Sequence, residues 1–217
     1  SLQQQLLEDY LEETQEIALL IIRGLSSASD LVSSFKQVAV DRTTAHRRVY
    51  DLLQASHEIV ATMMNQIRLA GHVIDLDIPK DIVMDGYPGP YGQIITNFIN
   101  NALLHAFAGR EGGCMSISAR QVVLGSVRII FADDGAGIAP ENLSRIFDPF
   151  FTTKRDEGGS GLGLSIIYNI ITTLLSGSIQ VESELGKGTR FILDLPLTAP
   201  EPVATEQSEP AAPQDAQ

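Results

Sequence analysis

The sequence predicts an α+β fold, a two-layer α/β sandwich preceded by a long helix. Three observations predict it. The hydrophobic period is helical through about the first 70 residues and then switches to two at residues 72–78. Further strand-like segments stand at residues 114–119, 127–132, 178–183 and 190–195, with helical stretches at 90–107 and 162–175. Strands and helices are mixed without a regular βαβ repeat, which disfavours a doubly wound sheet.

Residues 2–42 contain no proline, and Ile17, Leu20, Gly24, Ala28, Leu31, Phe35 and Val38 recur at steps of three and four, close to a coiled-coil seam. One helix of that length spans ~60 Å, too long to be buried in a domain of this size. Its apolar stripe is therefore expected to meet a second helix or another subunit, in preference to serving as an ordinary core helix. Residues 43–70 read as a short connector and a second helix, with Leu52, Leu53, Ile59, Val60, Met63, Met64 and Ile67 on one broad face. His72, Ile74, Leu76 and Ile78 then alternate with Val73, Asp75 and Asp77 in a half-buried strand that Pro79 ends. From residue 199 proline, alanine and acids dominate, so 199–217 is expected to be a disordered tail. The expected division is a helix over 1–44, a folded domain over 45–198 and the tail.

The 217 residues, 44% hydrophobic and 19% charged, describe one or two soluble globular domains. The formal charge is −12, and −8 without the tail acids Glu201, Glu206, Glu209 and Asp215. That field repels nucleic acid and anionic lipid, which are bound mainly through Lys and Arg; a local basic pocket for a small polyphosphate stays open. Cys114 is the only cysteine, so neither an intrachain disulfide nor a Cys/His metal site can form, in keeping with a reducing compartment. The longest apolar run, residues 17–22, is far below the ~20 residues of a membrane span. A chain that opens on Ser1 is expected to be a fragment, cytoplasmic itself, whose parent is anchored in a membrane or not.

The chemistry-bearing residues come in five groups. Asn97, Asn101 and His105 are four apart and share one helix face. Asparagine is a weak helix former, and its neutral carboxamide oxygen suits Mg²⁺; solvent-facing amides are the alternative. Asp133-Asp134-Gly135-Ala136-Gly137-Ile138 sets a carboxylate at a strand end, able to accept from an exocyclic amine such as that of adenine, although such a run is also an ordinary turn. Gly158-Gly159-Ser160-Gly161-Leu162-Gly163-Leu164 leads into an apolar helix, where converging N–H groups favour an anion. It is not a P-loop, because no Gly-Lys-Ser/Thr follows, and no strand precedes it as in a dinucleotide fingerprint. Upstream, Phe147, Phe150, Phe151 and Lys154 suit a hinged lid, or simply a core. Gly186-Lys187-Gly188-Thr189-Arg190-Phe191 turns into the last strand.

Taken together, the order and spacing of these groups resemble the sensor histidine kinases of two-component systems, in the superfamily that also holds gyrase, heat-shock chaperones and mismatch-repair ATPases. The resemblance covers residues 45–196 as the catalytic ATP-binding domain and, less specifically, the helix before it. It implies a five-stranded mixed sheet backed by helices, ATP and Mg²⁺ as ligands, a homodimer through the N-terminal helix, and the receiver domain of a response regulator as partner. Asn97 would hold Mg²⁺, Asn101 would contact the phosphates or metal-bound waters, and His105 would lie beside the nucleotide. Asp133 would accept the adenine amine, with Gly135, Gly137 and Ile138 shaping the base pocket and Thr189 assisting through water. Phe147 and Phe150 would anchor the lid, with Lys154 near the phosphates. Gly159, Ser160, Gly161, Leu162, Gly163 and Leu164 would form the phosphate loop. Asn97 and Lys154 would carry the catalysis.

Two positions bear on the reaction. The family's phosphoacceptor histidine lies on the first helix of a dimeric bundle, and only His57-Glu58 imitates its motif here. His57 is 40 residues before Asn97, too close for the second bundle helix to intervene, so it is read as a surface residue and the acceptor as lying outside the chain. Gln93 stands where hydrolytic members of the superfamily carry a glutamate, and it cannot accept a proton from water. The expected function is transfer of the ATP γ-phosphate to a histidine; a nucleotide-responsive scaffold and an ATPase are the alternatives.

Overall fold

The computed structural model describes residues 46–123, 125–154 and 159–201, together with Tyr10, Thr14, Gln15, Ile17, Ala18 and Gly24. The long helix expected over 1–44 and most of the tail therefore lie outside the described residues, as do Gly158 and the dimer contact expected of that helix.

The continuously described part begins with strand β1 (Arg48–Asp51) and helix α1 (Leu52–Leu69). Asp51 ends the strand and caps the helix, its Oδ1 accepting the Gln54 N–H at 2.7 Å. Strands β2 (Val73–Asp77) and β3 (Val83–Gly86) follow, then helix α2 (Pro88–Asn101), which proline opens and a π turn (Ala102–Ala106) prolongs. Strands β4 (Cys114–Val123) and β5 (Ser126–Asp133), the short helix α3 (Pro140–Leu143), helix α4 (Gly163–Asn169) with its own π turn (Ile170–Leu174), and strands β6 (Ser178–Glu184) and β7 (Gly188–Pro196) complete the domain. No helix of the described residues is long and apolar enough to cross a membrane.

The main sheet has the order β2-β4-β5-β7-β6, with β2 parallel to β4 and the other neighbours antiparallel. This is the five-stranded mixed sheet the resemblance implies. Its inner face carries Val127, Ile129 and Phe131 of β5 and Phe191, Leu193 and Leu195 of β7, all buried. Phe98 of α2 stacks between Phe131 and Phe191, ring centroids 5.2 and 4.6 Å apart, which locks the helix that carries the asparagines onto the sheet. The outer face is polar and carries the exposed pairs Arg120–Asp77, Arg128–Asp194 and Arg190–Glu182, each worth ~1 kcal/mol or less.

Three features differ from expectation. β1 and β3 form a separate two-stranded sheet; four residues each are too few to show a period of two. His72 precedes β2 instead of belonging to it: its ring is buried against Phe107 and its Nδ1 accepts the Gly113 N–H at 3.0 Å. The folded unit continues past 198, where Ala199 is buried and the Pro200 carbonyl accepts from the Tyr87 hydroxyl.

Candidate functional site

A cavity of about 430 Å³ opens between α2 with its π turn, the segment after β5, the glycine-rich segment before α4, and the end of the sheet. Register fixes the sheet end. Asp133, the last residue of β5, pairs with Thr189 of β7, so both side chains leave the sheet on the inner face.

At the opposite wall, Asn97 Nδ2 donates to the Gln93 carbonyl one turn back at 2.9 Å, which leaves Asn97 Oδ1 turned outward. A Cβ placed on Gly163 would lie 3.1 Å from Asn97 Oδ1 and 3.8 Å from Asn101 Oδ1, so both carboxamide oxygens converge on the start of α4. Asn101 Nδ2 is buried with no hydrogen-bond partner among the described residues, a state that costs ~1–3 kcal/mol. The π turn then widens the helix, with the Phe107 N–H donating to the Ala102 carbonyl at 3.0 Å. The retarded rotation keeps His105 on the cavity wall with the asparagines.

That turn also fixes the loop after β5. The Ala106 carbonyl accepts the Ala136 N–H at 2.8 Å, and Gly135 packs so close to Ala106 that a Cβ would approach its methyl to 2.5 Å. The two aspartates part company here. Asp133 is only 9% exposed, its Oδ1 accepts the Gly135 N–H at 2.9 Å, and burial raises its pKa against the pull of the Gly135 and Thr189 backbone hydrogen bonds. Asp134 turns outward, accepts the Cys114 N–H at 2.8 Å and pairs with Arg110 Nη2 at 2.8 Å. The Cys114 hydrogen bond, then Arg110, hold its carboxyl below the usual range.

Gly137 has φ +72°, and a Cβ there would collide with the Glu184 carbonyl, so only glycine lets this loop pass β6. Across the cavity Gly161 has φ +69°, and a Cβ would meet the Phe150 backbone at 2.5 Å. The glycine-rich segment therefore lies against residues 150–154, where the Gly159 N–H donates to the Lys154 carbonyl at 3.0 Å. Ser160 Oγ accepts the Leu162 N–H at 3.4 Å just before α4 begins.

Of the residues singled out from the sequence, Asn97, Asn101, His105, Asp133, Gly137, Ile138, Lys154, Gly159, Ser160, Gly161, Gly163, Leu164 and Thr189 line one cavity. Gly135 supports it from behind, and Leu162 is buried at the head of α4. Phe150 is a correction: it has φ +67°, is 48% exposed and does not line the cavity, because its backbone is pressed against Gly161. Its neighbour Phe151 lines the cavity instead, with the Arg145 guanidinium 4.9 Å over its ring, while Phe147 packs on Tyr168 at 5.4 Å. His57 is exposed on α1, away from the cavity. Asn100, Asn142 and Thr152 also line the cavity and were not anticipated. Nor was Ser183, which stands behind Thr189; a serine at an inward position of an otherwise apolar alternation was its only signal.

Residues 86–199 match the family described as histidine kinase-, DNA gyrase B-, and HSP90-like ATPase. The chain is 40% identical over 187 residues to the sensor histidine kinase ZraS of Escherichia coli (strain K12), covering 85% of this chain and 38% of ZraS. It superposes on the catalytic domain of histidine kinase ThkA with a TM-score of 0.61 at 27% identity, over 71% of this chain and 99% of that one. The full-length histidine kinase ShkA in complex with AMPPNP gives a TM-score of 0.62 at 27% identity, over 79% of this chain and 37% of ShkA. The chain thus spans less than half the length of ZraS and of ShkA. With more than half of its residues matched and the same sheet present, the chain belongs to the histidine kinase-, DNA gyrase B- and HSP90-like ATPase family.

Proposed function

We propose that this chain is the ATP-binding catalytic region of a sensor histidine kinase, which passes the ATP γ-phosphoryl to a histidine outside the described residues for relay to a response regulator. The observation that carries this reading is the opposition of two chemistries across one cavity. Asp133 and Thr189 offer acceptors at the sheet end, while Asn97, Asn101 and the glycine-rich segment gather at the start of α4. The first suits the amine of adenine and the second a polyphosphate. The complex of the related ShkA with AMPPNP supports the same assignment.

No group of three or more His, Cys, Asp or Glu among the described residues is placed to hold a metal. Mg²⁺ fits this neutral oxygen donor: Asn97 would hold the ion, which would supply charge neutralisation beside the phosphates. The orphaned Asn101 Nδ2 is a donor suited to a phosphate oxygen or an ordered water. Lys154, on the same wall, adds a positive charge. These residues hold the phosphates in line and balance charge, which is most of what phosphoryl transfer requires.

Asp133 is the sole carboxylate among the described residues lining the cavity, and it stands at the base end. Gln93 on α2, one turn before Asn97, cannot take a proton from water, which supports transfer over hydrolysis. Pairing of two copies through the segment before residue 46, which lies outside the described residues, and action on the cytoplasmic side belong to the same proposal. Calorimetry with Mg·ATP, alongside Asn97→Ala, tests the binding; γ-labelled ATP tests the chemistry. The chain is expected to bind nucleotide and to carry no acid-labile phosphate on His57. Steady ADP release without an acceptor protein would replace transfer by hydrolysis, and silence in calorimetry would remove the nucleotide reading.

A further inference from the structure

We propose that Ser183 is a positioning residue that sets the base preference of the cavity by committing the hydroxyl proton of Thr189. The inference rests on the nucleotide reading above.

Ser183 lies on the inward side of β6, and its Oγ is within hydrogen-bond distance of three groups. They are the Ile138 N–H at 2.8 Å, the Gly188 carbonyl at 2.9 Å and Thr189 Oγ1 at 3.0 Å. A serine hydroxyl has one proton and two lone pairs. The Gly188 carbonyl can only accept, so it takes the Ser183 proton. The Ile138 N–H can only donate, so it takes one lone pair. The other lone pair is left for Thr189, whose hydroxyl must donate to it.

Thr189 Oγ1 therefore turns only lone pairs toward the cavity, next to an Asp133 carboxylate that, when ionised, also only accepts. A purine edge that presents an amino group meets this wall with a donor. An edge that presents a carbonyl at the same place meets lone pairs with lone pairs. Replacing Ser183 by alanine frees the Thr189 proton, which can then donate to such a carbonyl. The bond from Ile138 is lost in the same change, so the loop that borders the base loosens as well. Discrimination against the carbonyl-bearing base is expected to fall, beyond any general loss of affinity.

The test is calorimetry of Mg·ATP and Mg·ITP on the 217-residue chain and on its Ser183→Ala, Ser183→Thr and Ser183→Cys variants, with melting curves to follow folding. The wild type is expected to prefer ATP. Ser183→Ala should narrow the ATP:ITP affinity ratio by ~10-fold, and Ser183→Thr, which restores a hydroxyl, should recover it. Ser183→Cys, a weaker acceptor, should narrow the ratio too and serves if the alanine variant does not fold. A purely structural serine would lower both affinities together. A wild type that binds the two nucleotides equally, or variants that keep its ratio, overturn the assignment of Ser183 alone. A wild type that binds neither removes the nucleotide reading and this proposal with it.

Discussion

Gly163 faces Asn97 so closely that a Cβ on the glycine would stand 3.1 Å from the asparagine Oδ1. Asn97 cannot retreat freely, because its Nδ2 is held by the Gln93 carbonyl at 2.9 Å. The missing side chain of the glycine leaves that oxygen available. Gly163→Ala adds a good helix former to the first turn of α4, so its effect on stability should be within ~1 kcal/mol. It crowds the proposed Mg²⁺ ligand, so Mg·ATP affinity is expected to drop by ~10-fold. Calorimetry and a melting curve on the same sample separate the two; an unchanged affinity would show that Asn97 Oδ1 does not take part.

Gly137, like Gly161 and Gly188, combines two demands that Gly112 does not. Its φ is +72°, and a Cβ would collide with the Glu184 carbonyl. That carbonyl is not free to move, since the same loop is tied to the next turn by the Gly186 N–H donating to the Ala136 carbonyl at 2.8 Å. Gly112 has the same φ of +72° with nothing within 4 Å of a Cβ. Gly112→Ala should therefore cost only the conformational penalty, ~1 kcal/mol, and Gly137→Ala ~3 kcal/mol or more. Denaturant unfolding of the two variants measures the difference, and equal losses would mean that the loop beside β6 yields.

Much of this arrangement was legible in the residues, for reasons that differ from place to place. In the main sheet β2, β4 and β6 showed as alternations of apolar and polar residues, and β5 and β7 as short apolar runs, Ile129 to Ala132 and Phe191 to Leu193. β1 and β3 did not, because four residues paired across 32 to 38 positions of sequence leave no local pattern. Asn97, Asn101 and His105 could be placed on one face from spacing alone, but a straight α-helix drifts over eight residues, and the π turn that corrects the drift has no sequence mark. The sequence points to Phe150, whereas Phe151 lines the cavity. Consecutive Phe150 and Phe151 cannot be told apart by composition, and the positive φ that turns Phe150 outward follows from its contact with Gly161, a packing fact. Ser183 acts through Thr189 and only the register of β6 with β7 brings the two together.

Asp133 should make binding and folding respond to acid in opposite directions. Burial raises its pKa above the unfolded value, so over the window between the two the folded chain holds more protons than the unfolded one. The cost of this buried carboxylate is therefore absent below the ordinary carboxylate range and complete above the raised pKa; acidification relieves it. Acceptance of an amine needs the ionised form. The Kd for Mg·ATP is expected to rise as pH falls through the raised pKa, while the Asp133 share of stability improves. The phosphates and Mg²⁺ titrate as well, so the measurement is the difference between the wild-type profile and that of Asp133→Asn, whose overall affinity should be at least ~10-fold weaker. Parallel profiles would remove Asp133 from the base pocket.

Tyr91 offers the corresponding experiment in alkali. Its ring is buried between α1 and α2, and because the Ser56 proton goes to the Leu52 carbonyl at 2.7 Å, the Tyr91 hydroxyl is the donor in the 2.7 Å bond between them. Burial pushes its pKa up to about 12. The unfolded tyrosine ionises near ~10, so between those values the unfolded chain has released a proton that the folded chain keeps. Stability must then fall as pH rises, by up to ~1.4 kcal/mol per pH unit for this one group, and the loss is complete only above the folded pKa. Tyr91→Phe removes the hydrogen bond and should cost ~1 kcal/mol at neutral pH. The same variant has no phenol at this position to ionise, so its alkaline slope must be shallower. The two stability curves are expected to converge above pH ~10. If they stay parallel in denaturant titrations, the Tyr91 hydroxyl is not sealed between the helices and α1 is not fastened to α2 at this point.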